Sequence, residues 1–147
     1  MKLLKKTPFF VLLLPLFFCL HGWLQNYGFI RFEELLLLCL QIFSGVILFT
    51  AFIYLLNRKL AAASLTAFFI SGWYLFFGAL HDGVKSLPGL AIMKTYTAML
   101  LAFGITSLVW VIYINKKNTN FQKPVFFLNL LMIIYCSIDV GLLIKKN

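Results

Sequence analysis

Apolar residues occur along this chain in five long runs, separated by short polar or glycine- and proline-containing segments. The runs cover about residues 8–23, 35–56, 60–80, 95–114 and 125–144. Four of them hold about 20 residues, the length with which an α-helix crosses a hydrocarbon core roughly 30 Å thick. The pattern predicts an all-α, polytopic membrane helix bundle with five transmembrane helices. It forms a single transmembrane domain over residues 1–147, and we expect no soluble domain in these residues.

The first run differs from the others because it is short and contains Pro15. It follows Lys2, Lys5 and Lys6 and so has the layout of a signal sequence. No small-residue cleavage site follows it, so we predict a retained signal anchor. The proline predicts a kink within this helix.

The third run ends in His81-Asp82, one of the few places where this chain carries groups capable of chemistry. At roughly 100° per residue, a continuous helix over 60–80 would place one stripe of residues on a common face. The stripe consists of Ala63, Ala67, Ser71, Tyr74, Gly78, His81 and Asp82. Its small residues would let a neighbouring helix approach closely. Two interpretations of His81-Asp82 remain open: the pair points into the bundle or a water-filled mouth, or it ends the helix at the interface.

Composition agrees with a membrane protein, since 63% of residues are hydrophobic and 12% are charged. The net charge of +9 does not indicate a nucleic-acid partner, because the basic residues lie in short clusters between the apolar runs. The three cysteines, Cys19, Cys39 and Cys136, lie inside apolar runs without the spacing of a zinc site or a disulfide framework. We interpret them as packing residues.

The distribution of lysine and arginine predicts the orientation, because cytoplasmic loops carry the excess of positive charge. With the N-terminus in the cytoplasm, eight basic residues lie inside and five outside. The inner set is Lys2, Lys5, Lys6, Arg58, Lys59, Lys116, Lys117 and Lys123, and the outer set is Arg31, Lys85, Lys94, Lys145 and Lys146. Five crossings then place the C-terminus outside the cytoplasm, in a bacterial inner membrane.

This orientation brings all acidic residues and both histidines to the outer face of the membrane. The outer-face polar cluster comprises His21, Asn26, Glu33, Glu34, His81, Asp82, Lys85 and Asp139. Glu33-Glu34 would begin the second helix, where carboxylates complement the helix dipole. We predict contact with a substrate or a partner for this cluster.

Asp139 stands out because a carboxylate within a membrane span costs about 2.5–3.5 kcal/mol at mid-bilayer. It should therefore have a partner or a function. Either it pairs with Lys85, Lys94 or a histidine and locks the bundle, or it binds the head group of a lipid-linked substrate or a cation. Asn129, Met132, Cys136 and Asp139 share one side of the fifth predicted helix.

The sequence motifs give little support for a metal site or for enzyme activity. His21, His81, Asp82 and Asp139 could in number supply four ligands, but their spacing matches no metal signature, so we predict no metal site and no cofactor. His21 and Asp82 could form a general base with its orienting carboxylate. No nucleophile motif, phosphate loop, GxSxG or HExxH accompanies them, so we assign no catalytic residue and leave enzyme activity open.

Three segments together resemble a known family: LFFCLHGWLQNYGFIRFEELL, then FFGALHDGVKS, then a last helix ending in an aspartate. They are similar to the N-terminal membrane region of bacterial, Bacteroidetes-type sulfatase-like envelope proteins of the alkaline phosphatase superfamily. The layout also resembles lipoteichoic acid synthase membrane domains. The resemblance implies five helices that anchor an extracytoplasmic domain cleaving or transferring phosphate or sulfate groups. That domain's nucleophile and metal ligands map onto nothing here.

The resemblance also implies that His21, Asn26, His81 and Asp82 form a platform facing such an active site. We therefore expect a membrane anchor and outer-face platform of a sulfatase-like envelope protein, without the catalytic domain itself. Its expected partners are the bilayer and either a lipid-linked substrate or an extracytoplasmic catalytic domain. The alternatives are a small carrier or flippase-type subunit for a lipid-linked substrate, and a structural subunit of a membrane complex. The oligomeric state stays open.

Overall fold

The computed structural model describes residues 4, 7–86, 95–116 and 121–146. Of these residues 88% are helical, and none of them forms a strand, which confirms the all-α class. The helices that the described ranges contain in full are α1 (Phe10–Gln25), α2 (Phe32–Asn57), α3 (Leu60–Leu75), α4 (Phe77–Lys85), α5 (Tyr96–Lys116) and α6 (Gln122–Lys146).

The helices support a membrane protein, although with fewer evident crossings than the sequence predicted. Within the described ranges, three helices are long and apolar enough to cross a bilayer: α2, α5 and α6. The bent pair α3 and α4 brings the number to four if both belong to one crossing. The first helix is apolar but has only 16 residues, so the predicted fifth crossing does not follow from length alone.

The chain divides into two compact units. The terminal unit comprises Met1–Phe68 and Thr119–Asn147, and the central unit comprises Phe69–Asn118.

In the terminal unit, α1 packs against α6 and also against α2. The α1–α6 pair is parallel, since contacts advance along both helices together. Phe17 and Tyr135 have ring centroids 5.6 Å apart, and near the helix ends His21 contacts Asp139. The stripe predicted on α6 is confirmed as its buried side, which consists of Val125, Asn129, Met132, Cys136 and Asp139.

Asn129 fixes the beginning of α1. Its side chain is fully buried, and Oδ1 accepts a hydrogen bond of 2.7 Å from the Phe10 backbone N–H. Nδ2 donates to the carbonyl oxygens of Leu4, at 2.7 Å, and Thr7, at 2.8 Å. No side chain caps α1 from its own N-cap residue, Phe9. A residue 119 positions away thus satisfies one of the N–H groups that every helix leaves unpaired at its first turn.

A short connection joins α2 to α3, and a small buried cluster lies next to it. Arg58 ends α2 in the left-handed conformation, with φ of 55°, and its N–H bonds to the Tyr54 carbonyl at 2.8 Å. Ala63 and Ala67 are fully buried in a cluster with Ile53.

The prediction of one continuous third helix over 60–80 is wrong. The helix breaks at Phe76, which has φ of −102° and ψ of 13°, and α4 leaves α3 at 62°. A helical wheel assumes one straight axis, so it no longer assigns residues to the correct face beyond such a bend. The predicted common face already ends before the bend, since Ser71 is buried whereas Tyr74, in the last turn of α3, is 77% exposed.

The contacts of Asn129 generate a stability prediction. Asn129→Leu introduces an apolar side chain of similar size. The Phe10 N–H and the carbonyls of Leu4 and Thr7 then lose their hydrogen bonds to the Asn129 amide. We expect the free energy of unfolding to fall on the order of 2–4 kcal/mol, because unmade buried hydrogen bonds each cost about 1–3 kcal/mol. Unfolding in mixed micelles, followed by circular dichroism, measures the loss.

The matched control on the same helix is Ser137→Ala. Its exposed hydroxyl bonds only to the Ile133 carbonyl, at 2.7 Å, within α6. We expect a change within about 0.5 kcal/mol for this variant. Equal losses for the two variants would contradict the capping role of Asn129.

Candidate functional site

The predicted polar residues separate between the two units. His21, Asn26, Glu33, Glu34 and Asp139 belong to the terminal unit, and His81, Asp82 and Lys85 belong to the central unit. Lys94, one of the expected partners of Asp139, lies outside the described residues.

Asp139 pairs with His21, a histidine being one of the partners expected for it. His21 Nδ1 and Asp139 Oδ2 are 3.2 Å apart. The carboxylate side chain is 7% exposed and the imidazole 40% exposed, so the acid lies behind the histidine. A buried carboxylate thus holds a half-exposed imidazole near the C-terminal ends of α1 and α6.

The second ring nitrogen of His21 is also engaged. Gln25 Nε2, one turn further along α1, is 2.9 Å from His21 Nε2. One ring nitrogen thus contacts a carboxylate and the other a side-chain amide. The ring also stacks on Phe17, with centroids 5.4 Å apart. Orientation of the imidazole is therefore fixed from three directions.

Lys146 completes this end of the helix pair. Its Nζ donates to the Leu24 carbonyl at 2.9 Å and lies 6.0 Å from the centroid of the Tyr27 ring. A cation at a helix C-terminus satisfies a free carbonyl and complements the negative end of the dipole. Sequence reasoning treated Lys146 only as part of a basic chain end. The available signal was its place in the last turn of a helix.

Three other predicted residues have helix-end roles. Asn26 follows α1, and its Nδ2 donates to the Gly22 carbonyl at 2.9 Å. Glu33 and Glu34 are exposed in the first turn of α2, which confirms their predicted position at a helix start. Their carboxylates complement the positive end of that helix.

Aromatic rings surround the connection between α1 and α2. Trp23 has ring-centroid distances of 6.0 Å to Tyr27 and 6.0 Å to Phe32. Phe29, in the connection itself, is 91% exposed. Such rings favour the boundary between lipid and water, so this connection has the composition of a membrane interface.

His81 and Asp82, in the central unit, have different environments. His81 is 1% exposed and stacks on Tyr96, with centroids 3.9 Å apart. Asp82 is 77% exposed, and its Oδ1 lies 3.8 Å from both His81 Nδ1 and Lys85 Nζ. Lys85 is also 5.6 Å from the centroid of the Tyr96 ring. The His81 ring of α4 thus packs against Tyr96 of α5, while the Asp82 carboxylate faces outward.

Within the described ranges, no group of three or more His, Cys, Asp or Glu side chains could hold a metal ion. The carboxylate that orients His21 is Asp139, whereas sequence reasoning weighed Asp82 for that role. Cys19 and Cys136 are buried and all three cysteines are free thiols, with Cys136 Sγ 3.7 Å from the Leu13 carbonyl oxygen.

The His21–Asp139 contact predicts an asymmetric response to substitution. His21→Phe alone should lower the free energy of unfolding on the order of 2–3 kcal/mol, because it leaves a buried carboxylate without its partner. Adding Asp139→Leu to the same chain should recover most of the loss, since an apolar pair needs no partner. Unfolding in mixed micelles measures both.

Asp82 and Lys85 provide the exposed control pair. Their coupling in a double-mutant cycle should stay within about 0.5 kcal/mol, since exposed ion pairs contribute little. Additive losses for His21→Phe and Asp139→Leu would show that the two side chains do not depend on each other.

Comparison of this chain with protein-family models, with curated proteins and with solved structures gives no match. The resemblance to sulfatase-like membrane regions therefore stays a prediction. What can be said of function depends on the residues and geometry described above.

Proposed function

We propose that this chain is the membrane anchor and outer-face platform of a sulfatase-like envelope protein. The observation that carries the proposal is the parallel pairing of α1 with α6, in which His21 meets Asp139 near the end where both helices finish. Two parallel helices enter and leave a membrane in the same sense. The chain then ends on the side opposite to its beginning, as an anchor for a C-terminal extracytoplasmic domain requires.

The number of crossings follows from the same pairing. If α1 and α6 both cross, an odd number of crossings must separate them. The helix α2, the bent pair α3 and α4, and α5 supply three. The first helix is about 24 Å long at 1.5 Å per residue, shorter than a typical core, and Pro15 lies within it. Local thinning of the bilayer and interfacial residues accommodate a short span of this kind.

The orientation comes from the excess of basic residues on the side of the N-terminus. It places His21, Asp139, the Glu33-Glu34 pair and Lys146 at the outer face of a bacterial inner membrane. The chemistry at that face comprises donors, acceptors and aromatic rings held in fixed positions. It suits the positioning of a neighbouring domain or a lipid-linked substrate, while bond cleavage would belong to the catalytic domain.

A reporter fusion tests the topology. Alkaline phosphatase is active only outside the cytoplasm, so a fusion after Asn147 should be active. A fusion after Lys59, between α2 and α3, should be inactive because that connection lies inside. Equal activity of the two fusions would contradict the proposed topology.

The coding sequence tests the anchor role separately. We expect the reading frame to continue beyond codon 147 into a domain rich in metal ligands. A stop codon at that place would favour a carrier or a structural subunit, whatever the topology.

A further inference from the structure

The side chain of Gln41 lies exposed on α2, well inside the predicted membrane span. Its position is nine residues beyond the first residue of α2, or roughly 14 Å along the helix axis. The buried residues of α2 are Leu35, Val46 and Ile53, which form one narrow stripe at 100° per residue. Gln41 lies about 120° from that stripe and is exposed. With α2 crossing the bilayer, this exposed amide lies within the hydrocarbon core, on the side of the helix away from the buried stripe.

An amide in hydrocarbon needs a partner. It carries two N–H donors and a carbonyl acceptor, and the hydrocarbon core holds no water that could satisfy them. No hydrogen bond of the Gln41 side chain occurs among the described residues. The nearby Ser44 hydroxyl is different, since it donates to the Leu40 carbonyl at 2.8 Å within its own helix. Gln41 is thus the polar side chain on this side of α2 that has no hydrogen-bond partner among the described residues.

The surface around Gln41 suits the approach of another helix. Gly45, Leu48 and Phe52 follow it at helical spacing and lie within about 40° of it. A Cβ added to Gly45 would meet nothing within 4 Å, so the space above it is open. Leu48 is 70% exposed and Phe52 is 59% exposed. We call these four residues, Gln41, Gly45, Leu48 and Phe52, the Gln41 surface.

We propose that the Gln41 surface binds the same surface of a second copy of this chain. Copies inserted in one orientation place their α2 helices parallel, so both Gln41 amides lie at the same depth. A two-fold axis along the membrane normal then brings each amide opposite the other, and a donor on each side meets an acceptor. Gly45, one turn away, lets the backbones approach, as small residues do at membrane helix interfaces.

A second copy fits better than lipid or a foreign helix. Acyl chains offer no hydrogen-bonding group at this depth. A foreign helix would need its own polar group at the matching height, whereas a second copy supplies one by symmetry. This inference is independent of the proposed anchor function, since it concerns the side of α2 away from its buried stripe of Leu35, Val46 and Ile53.

The experiment measures the association of the full chain in lipid bilayers. Copies carrying donor and acceptor fluorophores are mixed, and energy transfer is followed as the protein is diluted in lipid. The wild type should associate reversibly. Gln41→Leu should raise the dissociation constant about ten-fold, the effect of losing an interhelical hydrogen-bonded pair. Gln41→Asn, which retains an amide, should stay closer to the wild type than Gln41→Leu.

A pair of glycine variants provides the matched control. Gly45→Ile should weaken association by blocking the close approach. Gly104→Ile makes the same change at an exposed glycine of α5, where a Cβ also meets nothing within 4 Å, and should leave association unchanged. Circular dichroism verifies that each variant keeps its helix content. Energy transfer that is absent in the wild type, or equal in wild type and Gln41→Leu, would overturn the proposal.

Discussion

Lipid offers almost no hydrogen bonds to a protein, and this constraint explains how α1 and α6 fit together. The first helix is short, contains a proline and lacks a capping side chain of its own. The last helix, α6, provides hydrogen-bond partners for both ends of α1. Asn129 bonds to the start of α1 and Lys146 to its end. Between them, His21 and Asp139 satisfy each other. These contacts of Asn129, His21 with Asp139, and Lys146 hold the two helices parallel and in register.

Much of this face could be predicted from the sequence, because helical periodicity alone assigns a side to each residue. Asn129, Met132, Cys136 and Asp139 share a side by spacing, and they are buried together. The need of Asp139 for a partner followed from the cost of a carboxylate in a membrane. Which histidine would serve could not be predicted, since His21 is 118 residues away and only the fold brings it near. The acceptor of Lys146 is a backbone carbonyl, so the sequence offered only its place in the last turn of a helix as a signal.

The central unit shows where periodicity fails. A wheel over 60–80 predicts one face from Ala63 to Asp82, but it assumes a straight axis. Ala63 and Ala67 are buried as predicted, but Tyr74, in the last turn before the break, is exposed. Phe76 then breaks the axis, so the wheel does not hold for the residues that follow. Beyond the bend His81 stacks on Tyr96, a ring from another helix. Side chains before and after a kink pack against different neighbours, and a single sequence does not reveal where the kink lies.

The central claim is that α1 and α6 run parallel, with their C-terminal ends together. Electron paramagnetic resonance between spin labels at Gln25 and Lys145 tests it directly, in a chain whose natural cysteines are replaced by alanine. Both sites are exposed, and the account predicts a short distance between the labels. Labels at Gln25 and Gln122 should lie far apart, since the length of α6 is roughly 36 Å. A short distance from Gln25 to Gln122 and a long one to Lys145 would contradict the parallel pair.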